Sequence, residues 1–146
     1  MSKEPSSDMV RKGSCVCGDI SLEVRGEPVR VAACYCDHCR VNSGGFAQLG
    51  ARFPSSALIV HDPNSLLNSY TFTDTSSGNP KQKYFCRTCG SNLYAAVNVP
   101  DGEGIVSVRV PILDPKFEDK GLHPKIEGFP QNKPRFLEDL EKQSQL

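Results

Sequence analysis

The chain has 146 residues, 38% of them apolar, with 12 Gly, 11 Pro and 17 basic residues matched by 17 acidic ones. That length suits one domain with one modest core, and zero net charge offers no basic face for phosphate backbones, which argues against nucleic acid as a partner. No run reaches the roughly 18 apolar residues of a membrane span and no apolar signal segment is present, so a soluble intracellular protein, cytoplasmic or nuclear, is expected.

Residues 1–12 are polar, rich in Ser, Lys and Glu, and read as a disordered leader to a single domain over residues 13–146. The domain then shows short β-type runs between turn signals. Ile20, Leu22 and Val24 alternate with polar residues, and residues 29–33 follow Gly26, Glu27 and Pro28, which predicts a hairpin. Further strands are expected over residues 46–53, 58–60, 69–73, 82–85, 92–97 and 105–110, separated by turn-forming clusters at 74–80 and 100–104. In the last run Ile105, Ser107 and Arg109 face opposite to Val106, Val108 and Val110. Phe46, Phe53, Phe72, Phe85 and Tyr94 fall on these runs as core candidates. Helix is scarce: a short turn over residues 39–43 with Asp37 as its cap, and a helix over residues 134–141 behind Pro134. Residues 116–134 read as a long surface loop. The fold class is therefore mainly β with little helix.

Seven cysteines lie in three clusters: Cys15 and Cys17; Cys34, Cys36 and Cys39; Cys86 and Cys89. An odd count without a secretory signal favours metal thiolates over disulfides. Pairing by CxxC spacing alone would join Cys36 and Cys39 to Cys86 and Cys89. The glycines favour another partition, because a zinc knuckle needs a positive φ just after its second cysteine. Gly18 follows Cys17 and Gly90 follows Cys89, whereas Arg40 follows Cys39. Cys15, Cys17, Cys86 and Cys89 then form one closed structural zinc site. Cys34, Cys36 and Cys39 form a second zinc site with one position left for water, a substrate thiol, or a side chain such as His38, His61 or His123.

The segments Gly13-Ser14-Cys15-Val16-Cys17-Gly18, Cys34-Tyr35-Cys36-Asp37-His38-Cys39-Arg40, Ser43-Gly44-Gly45-Phe46 and Phe85-Cys86-Arg87-Thr88-Cys89-Gly90-Ser91 together resemble the family of glutathione-dependent formaldehyde-activating enzymes and centromere protein V. The resemblance implies an Mss4-like fold of curled antiparallel sheets held by a structural zinc. It implies two zinc ions per chain and the same four-plus-three division of cysteines, with Cys34, Cys36 and Cys39 as the zinc-mediated catalytic set. The activity it implies is that of a carbon–sulfur lyase acting on a glutathione adduct of a small aldehyde, such as S-hydroxymethylglutathione. Against that stands a non-catalytic zinc-binding interaction module. The chain departs from the family in having Tyr35 where histidine is common, and in lacking tryptophan altogether, so that residues 123–130 replace a Trp-containing tail motif.

If the second site is catalytic, a three-thiolate zinc carries a formal charge of about minus one and is better suited to holding a thiol than to polarising a carbonyl. Asp37, His38 and Tyr35 adjoin the cluster as acid–base candidates, and Arg40 is a candidate for a substrate carboxylate. Phe129 and Phe136 either pack the tail onto the sheet or close over the pocket.

Overall fold

In the computed structural model, which describes residues 9–75, 77–97 and 104–143, the strands form two sheets. The smaller has the order β10-β1-β2-β5, built from Leu113–Asp114, Val10–Ser14, Ser21–Arg25 and Leu58–His61. The larger has the order β11-β3-β4-β9-β8-β7-β6, from Ile126–Gly128, Arg30–Cys34, Gln48–Pro54, Ile105–Arg109, Asn92–Val97, Lys81–Cys86 and Leu67–Phe72. Neighbours pair antiparallel except β11, which runs parallel to β3. The architecture is mainly β, as expected. Its one α-helix among the described residues, α1 (Asp37–Ser43), follows β3, and no helix among those residues is long and apolar enough to cross a membrane.

Alternation decides which face of each strand is buried. Leu22 and Val24 of β2, with Ile20 just before it, meet Val31, Ala51, Phe53, Val106 and Val108 of the larger sheet in a single apolar cluster. The opposite face of the larger sheet carries Ala32, Gly50, Ala95 and Ser107, small residues that leave a hollow. Phe53 is fully buried and Tyr94 nearly so, whereas Phe46 is 45% exposed and lies before β4.

Four sequence expectations need correction. Residues 20–24 and 29–33 are not a hairpin, since β2 pairs with β1 and β5 while β3 pairs with β4 and β11. The link between them is claimed by other strands: Gly26 N–H donates to Met9 O and Val29 N–H to Arg52 O, both at 2.8 Å. Secondly, the expected leader over residues 1–12 ends too late, because β1 begins at Val10. Arg11 is 3% exposed, its charge met by Asp119 Oδ2 at 2.6 Å and Glu27 Oε2 at 3.0 Å, partners too distant in sequence to be read from the polar stretch itself. Residues 1–8 of that leader, and residues 100–103 of the turn cluster before β9, lie outside the described residues.

Thirdly, residues 116–134 are not simply loop: they contain β11 and three short 3-10 helices, Lys116–Glu118, Lys120–Leu122 and Pro130–Asn132. Lys125 N–H donates to Val31 O at 3.0 Å, which starts the pairing of β11 with β3. Fourthly, the helix over residues 134–141 reduces to the 3-10 segment Arg135–Asp139. Phe136 and Leu140 are 52% and 53% exposed, so no buried apolar face supports a longer helix.

Candidate metal centres

Two groups of cysteine thiols meet the geometry of a metal site. All seven cysteines are free. The sulfurs of Cys15, Cys17, Cys86 and Cys89 lie within 4.8 Å of one another, and so do those of Cys34, Cys36 and Cys39. Tetrahedral zinc with bonds of about 2.3 Å to sulfur would hold its thiolates about 3.8 Å apart. Cys15 and Cys17 are 3.4 Å apart and Cys17 and Cys86 3.8 Å, so the four-thiol set fits such an ion.

The first group is made by two matching turns. After β1, Cys15 N–H donates to Ile20 O and Gly18 N–H to Cys15 O; after β7, Cys86 N–H donates to Ser91 O and Gly90 N–H to Cys86 O. Gly18 and Gly90 sit at φ of 82° and 76°, the left-handed conformation demanded of glycine after each knuckle. Further donors point at the sulfurs, with Ile20 N–H 3.4 Å from Cys15 Sγ and Ser91 Oγ 3.2 Å from Cys89 Sγ. Ser91 Oγ also accepts from Val16 N–H at 3.0 Å, tying one knuckle to the other. The Ser91 contact is the main reason Cys89 is lowered to about 5. Cys15 and Cys86 are buried and Cys17 is exposed.

The middle group is built differently. Cys34 ends β3, Cys36 caps α1 in place of the expected Asp37, and Cys39 lies in its first turn. Cys39 N–H donates to Cys36 Sγ at 3.4 Å. Burial raises the Cys36 thiol, but the donation from the Cys39 backbone and from the neighbouring thiols outweighs it, and the net shift is downward. Cys39 is pushed upward, first by burial and then by the charge of Cys34. Cys36 and Cys39 are thus shifted in opposite directions, whereas a bound cation would favour the thiolate at all three ligands. Gln48 Nε2 lies 3.7 Å from Cys39 Sγ, Asn42 Nδ2 donates to Gln48 Oε1 at 2.5 Å, and Lys83 Nζ donates to Asn42 Oδ1 at 2.8 Å. This hydrogen-bonded series braces Cys39 from the cavity, which Asn42 and Gln48 also line.

The cluster opens into a cavity of about 330 Å³ whose floor is the hollow face of the larger sheet. Cys34, Cys36, Cys39 and His38 stand on one side, with Phe72 and Phe129 among the remaining walls. The His38 ring meets Phe72 edge-on at 4.2 Å. Three thiols and no fourth protein ligand converge here among the described residues.

Other sequence candidates lie elsewhere. Asp37 is exposed and pairs with Arg40, and the two line a separate groove beside Phe46 and Phe136, whose rings meet at 5.6 Å. Arg40 therefore does not face the cavity. Tyr35 is 8% exposed with Lys133 Nζ 5.7 Å over its ring. His61 is exposed at the end of β5, and His123 Nε2 meets Phe117 O at 2.6 Å. Of the three acid–base candidates and the three histidines, His38 is the one that lines the cavity.

Residue-by-residue reasoning passed over Arg52, Lys81 and Arg109, the cations of the cavity wall. Burial lowers Arg109 to about 10, partly offset by the charge of Cys39. The signal available was the alternation that puts Arg109 on the face of Ser107, opposite the valines.

The family model described as glutathione-dependent formaldehyde-activating enzyme matches residues 10–132. No match was found among curated proteins. A crystal structure of a Rhodobacter sphaeroides protein superposes with a TM-score of 0.53 at 27% sequence identity, covering 70% of this chain and 87% of that one.

Proposed function

The chain belongs to the glutathione-dependent formaldehyde-activating enzyme family, and from that premise we propose that it is a zinc-dependent carbon–sulfur lyase. Its substrate is the glutathione adduct of a small aldehyde, such as S-hydroxymethylglutathione. The observation that carries this reading is the three-thiol cluster Cys34, Cys36 and Cys39, facing a cavity with no fourth protein ligand among the described residues. A closed structural site needs four ligands; three leave room for a substrate atom. Cys15, Cys17, Cys86 and Cys89 hold the other zinc as a structural ion. Free thiols in such number suit a reducing compartment, and the cytoplasm is assigned on that ground.

Zinc held by Cys34, Cys36 and Cys39 would favour the thiolate form of an incoming thiol. The chain's own groups do the rest. Gln48 and the Cys39 backbone N–H donate to the ligand sulfurs and keep them oriented. In the synthetic direction a sulfur–carbon bond forms between thiolate and aldehyde, the carbonyl π electrons pass to oxygen, and that oxygen takes a proton. His38, on the cavity wall beside the cluster, is placed to take the thiol's proton and deliver it to that oxygen, and to carry it back in the reverse direction. Phe72 and Phe129 narrow the cavity and limit water around the adduct.

Zinc counts per chain, taken before and after mild chelation with and without glutathione, test the reading. One retained zinc and one labile zinc whose loss glutathione slows are expected, together with faster exchange between free formaldehyde and its glutathione adduct by NMR. Two equally inert zincs, indifferent to glutathione, would sink it in favour of a purely structural module.

A further inference from the structure

We propose that Arg109 is the carboxylate anchor of the cavity: the thiol accepted there must carry a carboxylate, which the buried guanidinium takes while the sulfur lies against Cys34, Cys36 and Cys39. This rests on the thiol-handling reading above and adds to it the residue that selects for a carboxylate on the thiol.

Arg109 is 7% exposed, and its Nε, fully enclosed, has no hydrogen-bond partner. No carboxylate is paired with it among the described residues. A guanidinium has five donors in a fixed fork and is rarely enclosed unless something satisfies them. Its surroundings do not supply that partner. In the cavity wall Arg52 and Lys81 add two further cations against the single carboxylate of Asp74. Three cations, Arg109 included, thus face one carboxylate and a cysteine cluster whose formal charge would be about minus one with zinc bound, and a ligand carboxylate can meet the positive charge left over.

The backbone opposite Arg109 leaves the space beside its Nη1 clear of side chain. Gly50 is its cross-strand partner. A Cβ at position 50 would stand 3.7 Å from Arg109 Nη1 and 2.4 Å from Ser107 Oγ, so any side chain there would lie over the floor. Arginine rather than lysine also fits the task, since its planar fork pairs both oxygens of a carboxylate at once.

A purely electrostatic role for Arg109, offsetting the charge of the thiolate cluster, predicts something different. Its loss would then weaken all thiols alike. The test is isothermal titration of the zinc-loaded full chain with 3-mercaptopropionate and with its methyl ester, in wild type, Arg109→Gln and Arg109→Lys. Wild type should bind the acid about tenfold more tightly than the ester. In Arg109→Gln that ratio should fall to near one with the ester affinity little changed, and in Arg109→Lys it should fall several-fold. A wild-type ratio near one, with both thiols bound, overturns the anchor and leaves the thiol site standing. So does a ratio unchanged in both variants, or in Arg109→Lys alone where Arg109→Gln does not fold. Failure of wild type to bind either thiol removes the thiol site and the anchor together.

Discussion

Cys86 is fully buried at the end of β7, whereas Cys36 is half-buried at the mouth of a cavity, so equal substitutions at the two should have unequal costs. On the proposed reading Cys86→Ser removes a zinc ligand that joins the two knuckles, and it should lower the melting temperature by more than 10 °C or abolish folding. Cys36→Ser should stay folded and lose one zinc. Melting followed by circular dichroism, with metal content alongside, checks both; equal unfolding would refute the division of labour. Gly128 gives a finer test. A Cβ there would stand 3.3 Å from Cys34 Sγ, close enough that the sulfur must yield by a few tenths of an ångström. Gly128→Ala should therefore weaken the middle site several-fold for zinc in competition with a chromophoric chelator, with a change in stability of under about 1 kcal/mol. A large loss of stability with unchanged zinc affinity would show the glycine serving β11 rather than Cys34. At this scale the cysteine partition was legible, because positive φ after a knuckle is a local demand written in Gly18 and Gly90. Arg109 was half legible: alternation fixed its face, but nothing local could show that α1 and its cysteines stand beside that face.

At the scale of elements, strands that alternate or run apolar were readable and those held by distant charges were not. Residues 92–97 match β8 at both ends, while β1 was lost because Arg11 looks like a solvent-facing residue until Asp119 is brought beside it. That pairing fastens the short 3-10 helix Lys120–Leu122 to the first strand, and Gly121 is needed there: a Cβ on it would lie 2.7 Å from Arg11 Nη2. The Arg11 hydrogen bond is the leading cause that holds the Asp119 carboxyl below its ordinary value. A depressed carboxyl contributes stability that is fully present above its unfolded pKa of about 4 and is lost as pH falls through the folded value. Asp119→Asn should therefore cost about 1–3 kcal/mol at pH 7, and the gap from wild type should close progressively below about pH 4. Urea unfolding at pH 7, 5 and 3 measures it. A gap that persists unchanged at pH 3 would mean that shape rather than charge holds the contact.

For the whole molecule the question is what joins a four-stranded sheet to a seven-stranded one. The shared apolar cluster does part of this, drawing on Leu22, Val24, Phe53, Val106 and Val108. The proposed zinc of the four-cysteine group does another part, since Cys15 and Cys17 lie on the turn from β1 to β2 in the small sheet and Cys86 and Cys89 on the turn from β7 to β8 in the large one. No sequence pattern announces that the strands divide between sheets, because period-two alternation is the same in both and non-local pairing decides membership. The distant cysteines were the one long-range clue. A structural zinc contributes about 10–16 kcal/mol of apparent binding energy in small metal-dependent folds, against a total stability of about 5–15 kcal/mol for a typical domain. Stripping metal should then act in two stages. Mild chelation should empty the middle site with a fall in melting temperature of under about 3 °C, because α1 and β3 keep their backbone pairing without it. Stronger chelation should empty the four-cysteine site and abolish the cooperative melt, and zinc returned under reducing conditions should restore it. Circular dichroism and zinc release recorded on the same sample distinguish the stages. A metal-free chain that still melts cooperatively within about 5 °C of the zinc-loaded one would leave the apolar cluster as the sufficient link between the sheets.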